Sequence, residues 1–184
     1  ERNLVFRNAG GLQFEECGAA WGLDHEGVSH GVACGDLDRD GDLDLVVTNV
    51  EEPVLIYRND AGGTKNRVVI ALEQSGANRH AIGATVELQT ASGVQRGVVR
   101  TAGGYLTNSS AELCFGLGLD EVIEEVGIRW PDGNREKVPD LAANHRHVIQ
   151  RGSGTAAGPA GEPVRPLFTA PQALAGLTHR ERPF

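Results

Sequence analysis

Short alternating strands and turns dominate the chain from residue 66 onward. Arg67-Val68-Val69-Ile70-Ala71-Leu72 is β-branched and apolar, the composition of a buried strand. Residues 83–90 alternate apolar and polar side chains, as a half-buried strand does. Ala91-Ser92-Gly93 makes a short turn and residues 94–101 return, which predicts a hairpin. Residues 112–118, 125–130, 135–138 and 146–150 complete the set of strands. Pro131-Asp132-Gly133-Asn134 forms a tight turn between two of them. A brief helical turn is the most that residues 120–124 predict. Long helical periodicity is missing almost everywhere. The pattern predicts an all-β sandwich over residues 66–151.

The N-terminal part has a different organisation. Val5-Phe6-Arg7-Asn8-Ala9-Gly10-Gly11 is echoed by Ile56-Tyr57-Arg58-Asn59-Asp60-Ala61-Gly62-Gly63, with Phe6 and Tyr57 51 positions apart. A strand-built period of about 40–60 residues predicts a propeller blade or a similar array. Between the copies lie a turn-rich stretch (14–30) and a strand (43–48). Residues 1–65 are therefore expected to form one blade-like unit. Residues 152–184, rich in Gly, Pro and Ala, read as a linker and an extended, irregular C-terminal tail.

The densest chemistry is Asp36-Leu37-Asp38-Arg39-Asp40-Gly41-Asp42-Leu43-Asp44. Carboxylates packed this closely repel one another unless a hard cation sits among them. Oxygen ligands in a flexible loop suit Ca²⁺ better than Zn²⁺ or Mg²⁺. Asp36, Asp38 and Asp40 can converge on one point, and Gly41 allows the sharp turn that follows. Asp42 is expected to offer its backbone carbonyl, leaving its side chain free, and Asp44 to close the shell. An EF-hand would need Glu at the twelfth position and flanking helices. Val47 stands there, and the exit is strand-like. A solvated acidic turn without an ion is the competing interpretation.

Composition narrows the function classes. The net charge is −8 and the pI near 5.2, which argues against a nucleic-acid partner. No apolar run approaches membrane-spanning length. The chain starts at Glu1 with no initiating Met and no signal-peptide pattern, and reads as processed or partial. Cys17, Cys34 and Cys114 form an odd set without metal-binding spacing. They are expected to be free thiols, with Cys17–Cys34 the pairing to consider if a disulfide forms.

Other candidate chemistry is thin. His145 and His147 fall on one side of a strand, but no third ligand is nominated. Ser109-Ser110 lacks a nucleophile-elbow context and a base. Trp130, in phase with Val126 and Ile128, is expected in the core, and Trp21 is expected to be buried too. Exposed aromatics would instead favour glycan stacking.

The motifs around the acidic loop, with Leu45-Val46-Val47-Thr48-Asn49 and the flanking aromatic-Arg-Asn strands, resemble an FG-GAP/VCBS repeat, the calcium-loop blade of integrin α-subunit propellers. Gly83-Ala84-Thr85-Val86-Glu87-Leu88, Gly104-Tyr105-Leu106, Phe115-Gly116-Leu117-Gly118 and Arg129-Trp130-Pro131-Asp132-Gly133 resemble an ASPIC/UnbV domain of the cartilage acidic protein type, which has bacterial extracellular members. Cys114 departs from the pattern, standing where many relatives carry His. Only one complete blade-like repeat is present. The resemblance implies extracellular or periplasmic placement, calcium binding through Asp36, Asp38, Asp40, Asp42 and Asp44, and a role in adhesion or assembly without catalysis. The expected partner is a protein or larger assembly covering the blade. A carbohydrate-binding module is the alternative, and a Mg²⁺-dependent enzyme is the third and weakest reading.

Overall fold

The structure is a computed structural model, and it describes residues 1–60 and 65–157. Strands and turns account for nearly all of it. Chain order begins with a hairpin, β1 (Phe6–Gly10) and β2 (Gln13–Glu16), followed by a one-turn helix α1 (Gly18–Trp21). Next come β3 (Ser29–Gly35), β4 (Asp44–Asn49) and β5 (Leu55–Tyr57). These three make an antiparallel sheet in the order β3-β4-β5. The two copies of the sequence repeat thus lie in different sheets, one in the β1-β2 hairpin and the other at β5. The second copy's glycine-rich end falls outside the described residues.

The second unit comprises β6 (Asn66–Glu73), β7 (Thr85–Thr90), β8 (Gly93–Val98), β9 (Ala102–Gly104), β10 (Thr107–Asn108), β11 (Leu113–Gly118), β12 (Glu125–Arg129), β13 (Arg135–Val138), β14 (Arg146–Gln150) and β15 (Thr155–Ala157). One sheet runs β11-β6-β14 and a second runs β15-β13-β12-β7-β8. The core lies between them. The first sheet contributes Val68, Ile70, Leu72, Phe115, Leu117 and Ile149, and the second Val86, Leu88, Val126 and Ile128. In β7, Val86 and Leu88 point in while Glu87 and Gln89 stay exposed, so period-2 alternation sets the register. In β6, Val69 is buried on the opposite face as well. This fits its central position, with β11 antiparallel on one side and β14 parallel on the other.

Trp130 is buried, as its phase predicts. The guanidinium of Arg151 stands 5.5 Å from its ring centroid and is held by hydrogen bonds to Asp132 and Gln74. One expectation is corrected. The chain does not leave the fold at residue 152: Thr155–Ala157 adds a strand to the edge of β13, with Lys137 opposite Thr155. Unpaired backbone groups at that sheet edge bind this short segment despite its linker-like composition. No helical turn forms over residues 120–124. Among the described residues the one short helix lies at Gly18–Trp21, inside the stretch that reads as turn-rich. The expected tail over residues 164–184 lies outside the described residues.

The two units touch. The β9-β10 hairpin leaves the second unit and runs along β3. Ser110 N–H donates to the Cys34 carbonyl at 3.3 Å, and Cys34 N–H donates to Ser109 Oγ at 3.1 Å. Gly31 permits this approach. A Cβ there would stand 2.4 Å from Thr107 Cγ2 and 2.8 Å from the Tyr105 carbonyl oxygen.

Candidate metal centre

Strand β3 ends opposite the start of β4, with Gly35 paired to Asp44. The acidic loop is the connection between them, so both of its ends are clamped by one antiparallel ladder. Two residues take left-handed backbone, Arg39 at φ 65° and Gly41 at φ 93°. That curls the loop inward and turns its own N–H groups onto its carboxylates. Gly41 N–H donates to Asp36 Oδ2 at 3.0 Å, Asp40 N–H to Asp38 Oδ1 at 3.3 Å, and Asp42 N–H to Asp40 Oδ1 at 3.1 Å.

Asp36, Asp38 and Asp40 converge, with one oxygen of each within 4.8 Å of the others. Asp36 Oδ1 is buried and has no hydrogen-bond donor, and neither do both carboxylate oxygens of Asp42. The donor set consists of hard, anionic oxygens, and one of them, Asp36 Oδ1, is buried without a hydrogen-bond partner. The residues present therefore fit a hard dication of the calcium type.

Asp42 and Asp44 lie outside this three-residue cluster and differ from each other. Burial, then the neighbouring Asp40 carboxylate, pushes the Asp42 carboxyl up to about 6, against the opposing pull of Arg67. Both of its side-chain oxygens are enclosed. Asp44 is buried, with 1% of its surface exposed. Its Oδ2 accepts from Leu37 N–H and its Oδ1 from Asn59 N–H, each at 2.8 Å. Burial works against its ionisation, but donation from the backbone of Asn59, Leu37 and Asp38 outweighs this and holds its carboxyl below the ordinary range. Asp44 thus ties the loop entrance to the segment following β5.

Sequence reasoning did not nominate Arg67. It lies in β6 of the second unit, yet its guanidinium donates to the Asp40 carbonyl and lies 3.9 Å from Asp40 Oδ2. No local pattern links positions 27 residues apart, so only the meeting of the two units reveals it. A cleft of about 1130 Å³ opens where they meet, lined by Asp36, Asp40, Arg67, Ser109, Glu112 and Arg146 among others. Arg146 and Glu112 form an ion pair in its second-unit wall at 2.6 Å.

The remaining candidates find ordinary partners. Ring nitrogens of His145 and His147 donate to the carbonyls of Ala143 and Ala142, both at 2.8 Å. The Ser109 and Ser110 hydroxyl oxygens accept from backbone N–H groups of Cys34 and Glu112. Cys17, Cys34 and Cys114 are free thiols. Trp21 overturns its expected burial: it is 54% exposed. A one-turn helix in a unit with almost no core offers an indole nothing to pack beneath.

Residues 74–156 match the family described as ASPIC and UnbV. Over 135 residues the chain is 33% identical to cartilage acidic protein 1 of Mus musculus and, equally, of Homo sapiens. Over 112 residues it is 32% identical to cartilage acidic protein 1 of Xenopus tropicalis. The two mammalian alignments cover 71% of this chain and 20% of each relative, and the amphibian one covers 59% and 17%. The chain therefore spans about a fifth of the length of these curated relatives or less.

Proposed function

We propose that this chain, whose residues 74–156 constitute an ASPIC/UnbV domain, is a calcium-stabilised, non-catalytic interaction module of an extracellular or periplasmic protein. In this reading the sandwich supplies stability. The first unit is one propeller-type FG-GAP/VCBS blade that supplies a surface for a protein partner or a larger assembly.

One observation carries the reading: apolar side chains are distributed very unequally. Val47 is the sole hydrophobic side chain buried within residues 1–60, while Phe6, Phe14, Trp21, Val54 and Ile56 stand exposed. Ile56 is 68% exposed. A small sheet that leaves this much apolar surface in water gains little from its own folding. Covering that surface is the gain a partner would bring. The acidic loop joins the edge strand β3 to the central strand β4, which pairs Val46 with Ile56 of β5. Calcium there would lock β3 and β4 in register, adding about 2.7 kcal/mol at a hundredfold excess over the dissociation constant.

The test has two arms. Calcium should raise the melting temperature of the chain, and Asp38→Ala with Asp40→Ala should remove that rise. Sedimentation equilibrium should reveal concentration-dependent association that Phe6→Lys with Ile56→Lys abolishes. A monodisperse monomer indifferent to calcium refutes the proposal.

Exposure of Trp21 and Tyr105 favours a second reading, a carbohydrate-binding module of a secreted protein. Glycan-array binding lost on Trp21→Ala or Tyr105→Ala would select it over protein assembly.

A further inference from the structure

Arg67 is fixed at its base and extended at its tip. Its N–H donates to Asn144 Oδ1 at 3.1 Å, its carbonyl accepts from Asn144 N–H at 2.6 Å, and it pairs with Gly116 across the sheet. The Cα is therefore part of the rigid second unit. The side chain crosses to the acidic loop of the first unit, where it donates to the Asp40 carbonyl and approaches the Asp40 carboxylate. The loop leaves room for it. A Cβ on Gly41 would stand 2.8 Å from Arg67 Nε, so the one residue of the loop without a side chain lies under the guanidinium. Gly41 thus serves both the turn and the passage of the cation.

We propose that Arg67 is a tethered counter-ion of the acidic loop, which holds the two units together when no calcium is bound and competes with calcium for Asp40. The inference rests on the calcium reading given above. Its physical content is linkage. A guanidinium and a dication close to the same carboxylates repel each other, so calcium entry weakens one of the contacts that bridge the units, beside the Cys34–Ser109 and Cys34–Ser110 bonds. By reciprocity, a partner that presses the units together lowers the affinity of the loop for calcium. The cleft between the units is the element that would open or close. A unit charge about 5 Å from a dication changes affinity by about ten- to twentyfold, even in water's dielectric.

The experiment is calcium titration calorimetry on the full chain at low and at physiological ionic strength, comparing wild type with Arg67→Gln, Arg67→Lys and Lys65→Gln. Lys65 lines the same cleft and controls for a diffuse field. Arg67→Gln should bind calcium about tenfold more tightly, and screening should narrow the difference as salt rises. Arg67→Lys should remain near wild type. In chelator, Arg67→Gln should show faster amide exchange in the loop than wild type, while Trp130 fluorescence verifies an intact second unit. Unchanged or weaker binding by Arg67→Gln, or an equal gain in Lys65→Gln, overturns the counter-ion role and leaves the calcium reading standing. Wild type that takes up no calcium overturns both.

Discussion

Replacing Asp44 by Ala should release the acidic loop even when no metal is present. The buried carboxylate holds two backbone donors, Leu37 N–H between Asp36 and Asp38 and Asn59 N–H after β5, each at 2.8 Å. Hydrogen bonds to a charged group contribute about 1.5–3 kcal/mol each. The two together would reach about 3–6 kcal/mol, less what is regained when a desolvated carboxylate near Asp42 is removed. A net loss of about 3 kcal/mol follows, and at 1.4 kcal/mol per factor of ten it accelerates local opening roughly a hundredfold. Amide hydrogen exchange of Leu37 and Asn59, followed in chelator, reads this directly because those two amides are the donors. Asp44→Asn retains one accepting oxygen and should show roughly a tenfold acceleration by the same arithmetic. Asp38 is exposed, so Asp38→Ala should remain within about 0.5 kcal/mol of wild type without metal. Exchange at Leu37 and Asn59 within threefold of wild type in Asp44→Ala would refute the assignment of Asp44 as the loop's anchor.

Stability and association should separate along the two units. Ile70 is fully buried in the core between the sheets, so Ile70→Ala should cost about 2–5 kcal/mol in urea unfolding followed by Trp130 fluorescence. Ile56→Ala should change that unfolding by less than about 0.5 kcal/mol while weakening association, and equal effects of the two on unfolding would contradict the division of roles. Hydrogen bonding from Arg151 holds the Asp132 carboxyl below its ordinary range. Its contribution is therefore present above the ordinary value of 3.8 and lost as pH falls through the lowered folded value. Arg151→Leu should return the carboxyl towards its ordinary range in an NMR titration, and an unchanged titration would refute the pairing.

Several features follow from local chemistry and can be read along the chain. The strands of the second unit announce themselves through alternation, as with Val86 and Leu88 in β7. The Pro-Asp-Gly-Asn turn closes where its residues demand, with Gly133 at φ 92°. Trp130 points inward because it keeps phase with Val126 and Ile128. The curl of the acidic loop also follows from its residues, since Gly41 can take left-handed backbone and aspartates can accept their neighbours' N–H groups.

Tertiary structure alone decided the rest. It placed β6 between an antiparallel and a parallel neighbour, brought Thr155–Ala157 onto the edge of β13, and left Trp21 in solvent. It also separated five similar aspartates into three convergent ligand candidates, an enclosed and unpartnered Asp42, and an anchoring Asp44. Arg67 entered the site by the same route. Alternation, turns and loop curvature depend on residues a few positions apart, whose geometry the backbone itself constrains. Which carboxylate meets an amide, an arginine or nothing depends on segments distant in sequence, and their meeting is set by how the two units pack.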